Sequence, residues 1–118
     1  MKKFNVSLPI EGEYLTTVRL TTGGLCALAG FDVDSAEDYK VCVTESLLIL
    51  KRNGFTEADI EFSVGETLGC VLTGKQCQQT AEDSLEDEIS RALLSALVGG
   101  VEFTTDENGK VVKIAFEG

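Results

Sequence analysis

Hydrophobic and polar positions alternate over residues 4–8, with Phe4, Val6 and Leu8 set against Asn5 and Ser7. A period of two is that of a half-buried strand, and Pro9 ends it. From residue 12 the period lengthens. Tyr14, Val18, Thr21, Leu25 and Leu28 recur at helical spacing and predict a helix over 12–29, closed by Gly30. Gly23-Gly24 inside it costs about 1 kcal/mol per glycine relative to alanine. Such a pair marks either close backbone approach or a weak point. A second helix is predicted over 35–53, with Ser35 as N-cap and Asp38 near the positive helix end. Tyr39, Val43, Leu47 and Leu50 lie on one side of it, and Val41, Leu48 and Ile49 on another. A helix apolar around that much of its girth belongs at the centre of a domain.

After Asn53-Gly54 the period returns to two. Ile60, Phe62 and Val64 alternate with Glu61, Ser63 and Gly65, and the run Leu68–Leu72 follows a turn at Gly65-Glu66. This is a hairpin with one solvated face. Residues 74–80 read as polar and irregular. A third helix is predicted over 81–98, its stripe formed by Leu85, Ile89, Leu93 and Leu97 with Ala92 and Ala96. Gly99-Gly100 ends it. A last hairpin joins Val101 and Phe103 to Val111–Phe116 through Asp106-Glu107-Asn108-Gly109, whose Asn-Gly pair is a strong turn signal. The order is β-α-α-β-β-α-β-β. It implies an α+β, two-layer sandwich: a mixed, mostly antiparallel five-stranded sheet with three helices on one face.

Composition narrows the function. The chain has 118 residues, enough for one domain over 1–118, and is 43% hydrophobic and 25% charged. Twenty acidic residues face ten basic ones, and there is no histidine. That balance argues against nucleic acid and against an anionic membrane surface. Without histidine there is no Ser-His-Asp or Cys-His pair and no His-ligated zinc, and no metal site is expected. Cys26, Cys42, Cys70 and Cys77 show no CxxC spacing. With neither a leader-like N-terminus nor a membrane span in the sequence, a reduced, cytoplasmic protein is expected. Cys26, Cys42 and Cys70 read as buried hydrophobes, and Cys77, within a polar stretch, as exposed.

One segment carries a resemblance. Leu8-Pro9 ends the first strand, and Glu13-Tyr14 opens the first helix. Arg19-Leu20-Thr21 sits mid-helix, and an acidic turn over 32–38 leads into Tyr39-Lys40-Val41-Cys42-Val43-Thr44-Glu45-Ser46. Residues 7–55 resemble the anti-sigma-factor serine-protein kinases of the histidine-kinase-like ATPase superfamily, and the element order matches that fold. The resemblance places Glu45 on the family's catalytic glutamate, the base that prepares the attacking hydroxyl. It places Ile49 where the family has its magnesium-binding asparagine and Asn53 where it has a histidine. Isoleucine offers no oxygen to a hard cation.

The second half departs further. The adenine-binding Asp-x-Gly-x-Gly box would fall at Leu72-Thr73-Gly74-Lys75-Gln76-Cys77, where Gly74 remains but no aspartate precedes it. The glycine-rich phosphate box would fall near 82–90, where Glu82, Asp83, Glu86, Asp87 and Glu88 stand instead. Carboxylates there oppose a polyanion. The lid between the two boxes is shortened. Phosphoryl transfer is nearly all positioning and charge stabilisation, so losing three parts together should abolish it.

Each feature also has a plainer reading. Glu45 by itself is a hydrogen-bonded glutamate at a helix edge. The acidic run is a solvated helix start favoured by the dipole, or a docking surface for a basic partner. Arg19 is packing, or part of an interface. Lys40, Lys51 and Arg52 read as helix surface, and Gly74-Lys75 lacks the spacing of a phosphate loop. Three functions follow as expectations. The first is a degenerate regulator that holds a sigma factor or an anti-sigma antagonist, as a possible homodimer, without nucleotide. The second is an active serine-protein kinase using Mg-ATP and Glu45. The third is a structural oligomerisation domain.

Overall fold

The computed structural model describes residues 2–77, 85–98 and 100–118. Its elements run β1 (Lys2–Pro9), α1 (Gly12–Leu28), α2 (Val33–Arg52), β2 (Phe55–Val64), β3 (Leu68–Cys77), α3 (Leu85–Leu97), β4 (Glu102–Thr105) and β5 (Val111–Glu117). The five strands form one sheet in the order β1-β2-β3-β5-β4. Each of its four pairings is antiparallel, so the sheet is wholly antiparallel and not mixed, and the whole is otherwise the α+β two-layer sandwich expected from the element order.

Alternation along the strands sorts the two faces. Leu8, Ala58, Ile60, Phe62, Leu68, Cys70, Leu72, Ile114 and Phe116 are buried on the helix side. The opposite face is polar, and its charges are tied across strands. Ser7 donates to Asp59 at 2.7 Å, and Lys3 donates to Ser63 at 2.8 Å and pairs with Glu61 at 3.2 Å. The register sets these neighbours, with Ser7 opposite Asp59 and Lys3 opposite Ser63.

α2 is the central helix, as its girth of apolar residues requires. It packs on β2, β3 and β5 and is flanked by α1 and α3. Tyr39 sits in its second turn, edge-on to Phe31 and Phe116 with centroids 5.5 and 5.3 Å away. Burial would strand the Tyr39 hydroxyl, but it donates to the Leu68 carbonyl at 2.7 Å.

Four local expectations are corrected. α2 starts two residues earlier than predicted, because Asp32 and not Ser35 is the cap: its carboxylate accepts the Ser35 N–H at 2.8 Å. That hydrogen bond holds the Asp32 carboxyl below its ordinary value. β3 continues to Cys77, so residues 74–77 are strand rather than irregular chain. The buried face of α1 is Val18, Thr22, Leu25 and Cys26, while Tyr14 and Leu28 are exposed. The stripe is rotated because Thr22 and Cys26, with small side chains, fit against α2. Among the described side chains of α3 the deeply buried ones are Ser90 and Leu94, with Val98 just past its end, and Ile89 is 59% exposed. Its first predicted turn, 81–84, lies outside the described residues.

Candidate functional site

α2 presents Glu45, Ile49 and Asn53 at four-residue steps, one above the other along the helix. Their surroundings differ. Ile49 is sealed, with no exposure at all, inside the cluster formed by Leu47, Leu50, Ile60 and Leu94 among others. Glu45 is partly buried at the α3 side. Ser90 on α3 donates its hydroxyl to Glu45 Oε2 at 2.8 Å and accepts from Arg52 Nη2 at 2.6 Å. A hydroxyl that is 4% exposed needs such partners, since burial without them is costly. Here both partners come from α2, so a single serine joins the two helices through a carboxylate and a guanidinium.

Asn53 ends α2. Its side chain donates to the Ile49 carbonyl at 2.8 Å and accepts the Val111 N–H at 3.0 Å. It therefore closes the last helical turn and ties it to β5. Gly74 stands mid-strand opposite Ala58, under the ring of Phe55. A Cβ there would come within 2.5 Å of Phe55 Cγ, so the ring requires glycine. Arg19 is exposed on α1, on the side of Glu37. Of the acidic run, Glu82 and Asp83 lie outside the described residues, as do the side chains of Glu86 and Asp87, and Glu88 is exposed on α3. Cys77 is exposed, with Lys110 Nζ 2.6 Å from its sulfur. The structure thus brings Glu45, Ile49 and Asn53 onto one helix and leaves Arg19 and Gly74 elsewhere.

Clefts of about 460 and 540 Å³ open at the two ends of α2. Phe31, Asp32, Tyr39, Glu66 and Leu97 line the first, and Glu11, Lys51, Arg52 and Phe55 the second. Neither is lined by Glu45, Ile49 or Gly74. Among the described residues no group of three Cys, Asp or Glu side chains is gathered to hold a metal ion. No described helix is long and apolar enough to cross a membrane.

No protein-family model matches the chain. Curated proteins do. The serine-protein kinase RsbW of Listeria monocytogenes serovar 1/2a is 33% identical over 63 residues, which are 52% of this chain and 40% of that protein. RsbW of Bacillus cereus strain AH187 is 29% identical over 56 residues, 48% of this chain and 35% of that protein. Over about half its length the chain is similar to the RsbW serine-protein kinases. The aligned stretch is less than half the length of these relatives. The two-layer order of helices and strands agrees with the histidine-kinase-like ATPase fold of that family.

Two residues beside Glu45 have roles that the sequence did not assign. Ser90 is a polar residue on an apolar stripe, and only its four-residue spacing to Leu94 and Val98 marks it. Arg52 read as helix surface, but α3 draws its guanidinium inward.

Proposed function

We propose that this chain is a regulatory protein of the RsbW type that binds a sigma factor, or the antagonist protein of such a system, without phosphorylating it. The observation that carries the proposal is Ile49. It stands one helical turn beyond Glu45, is fully buried, and has no oxygen for Mg²⁺, which binds almost only through oxygen. The Glu45 carboxylate is also engaged by Ser90, and the acidic run stands where the family's phosphate box would fall. Glu45, Asn53 and Gly74 then remain as family positions without nucleotide chemistry. Arg19 and the acidic residues Glu82, Asp83, Glu86, Asp87 and Glu88 supply partner contacts, and the reduced cysteines suit work in the cytoplasm.

Titration calorimetry with Mg-ATP is expected to give no heat of binding, and the purified chain is expected to retain a sigma factor or antagonist on an affinity column. Micromolar Mg-ATP affinity would overturn the first half, and retention of neither protein the second. Transfer of labelled phosphate to a partner serine, abolished by Glu45→Gln, would replace this reading with an active kinase. A stable oligomer that retains neither protein would replace it with a structural domain.

A further inference from the structure

The buried polar side chains among the described residues are Thr22, Ser46, Asn53 and Ser90. The Ser46 hydroxyl donates to its own helix, at the Cys42 carbonyl, and Asn53 bonds backbone groups. Ser90 differs. It joins two charged side chains of another helix, giving its proton toward Glu45 and receiving one from Arg52. A distance of 2.8 Å from hydroxyl to carboxylate is the spacing at which a carboxylate orients or deprotonates an alcohol. Donation from the guanidinium to the same oxygen polarises the O–H bond further toward the carboxylate. The arrangement is that of a carboxylate facing an acceptor alcohol, but the alcohol belongs to the chain itself.

We propose that Ser90 is an internal occupant of the Glu45 carboxylate, held there by Arg52, so that α3 closes this position against a serine of any partner. The inference rests on the RsbW-type reading of Glu45, in which the position does no phosphoryl transfer, and adds the internal group that occupies its carboxylate. Leu94 and Val98, on the same stripe, keep α3 seated. The hydroxyl is therefore presented by a packed helix and is not a passing rotamer. Glu45 is only partly buried, so removing the hydroxyl lets its carboxylate turn to solvent.

Carboxyl footprinting of the full chain tests this, using a water-soluble carbodiimide with glycine ethyl ester and peptide mass spectrometry. In the wild type, Glu45 is expected to react severalfold more slowly than the exposed Glu57 and Glu117. Ser90→Ala should raise Glu45 labelling severalfold and leave those two unchanged, while Ser90→Thr, which keeps a hydroxyl, should stay slow. Arg52→Gln should give a partial rise and serves if Ser90→Ala does not fold. Amide exchange of Leu94 and Val98 should be the same in Ser90→Ala as in the wild type. Wild-type Glu45 as reactive as Glu57, or no rise in either variant, would overturn the proposal. So would a rise accompanied by faster exchange along all of α3, which would make Ser90 a packing tie. Retention of the sigma factor or antagonist is measured separately, so loss of one proposal leaves the other standing.

Discussion

Asn53 shows how one side chain can hold a helix end and a strand together. Its amide supplies a donor to Ile49 and an acceptor to Val111, both buried. Asn53→Ala removes both bonds and leaves the buried Val111 N–H without its acceptor, while the Ile49 carbonyl keeps the backbone N–H of residue 53. The expected cost is about 2–3 kcal/mol, from the desolvation penalty of unsatisfied buried groups. Urea unfolding checks it, with Asn53→Asp as a contrast that keeps the acceptor but buries a charge. The position is informative about reading sequences. Asn53-Gly54 was legible as a helix end, but the link to Val111 depends on β5, far along the chain. Ser90 was less legible still. A serine on an otherwise apolar stripe looks like a solvent position until the carboxylate and guanidinium that satisfy it are brought alongside by the fold.

Glycines separate the elements in the same way. Gly23 and Gly24 both lie in α1, and a Cβ at Gly24 would meet nothing within 4 Å. A Cβ at Gly23 would meet only the flexible side chain of Lys40, at 3.6 Å. Close backbone approach does not explain the pair, so it is a weak point in the helix. Gly24→Ala is expected to stabilise the protein by up to about 1 kcal/mol, the difference in helix propensity. Gly74→Ala should act in the opposite direction, costing about 1–3 kcal/mol as the Phe55 ring is pushed away. Thermal unfolding of the two variants gives both signs. Periodicity located α1, α2 and the β2–β3 hairpin because each runs long enough to show its repeat. It misplaced details where small or polar residues shared a buried face. Thr22 and Cys26 turned the stripe of α1, and Ser90 turned that of α3. At the start of α2, Asp32 and Ser35 are both good caps, and only the observed hydrogen bond decides between them.

At the scale of the molecule, the four cysteines divide three to one. Cys26, Cys42 and Cys70 are buried thiols and Cys77 is exposed. Burial pushes the thiols of Cys26 and Cys42 up to about 11 and raises that of Cys70 as well. In the folded chain a chromogenic disulfide reagent at pH 8 should therefore titrate Cys77 alone, and all four cysteines after denaturation. The same shifts set an alkaline limit. Thiols that hold their protons more tightly when folded stabilise the protein fully below the unfolded thiol value, roughly 8.5, and this stabilisation is lost as pH rises toward 11. Tyr39, also raised by burial, acts in the same sense. Urea midpoints should accordingly fall between pH 8.5 and 11. The two-layer architecture and the burial of three cysteines were legible from pattern and composition, since each rests on many residues at once.

The position of β1 in the sheet also has a kinetic consequence. Among the described strands β1 pairs only with β2, yet α1 and α2 lie between them in sequence, whereas β2 meets β3 across a short turn. Closing the long loop forfeits chain entropy before any contact repays it, so the hairpin should form early and β1 should dock late. Leu8→Ala is expected to accelerate unfolding and barely change refolding, while Leu72→Ala should slow refolding. Stopped-flow chevrons on the two variants would separate these effects. The strand that begins the chain would then be the last to join the sheet, and the first to leave it.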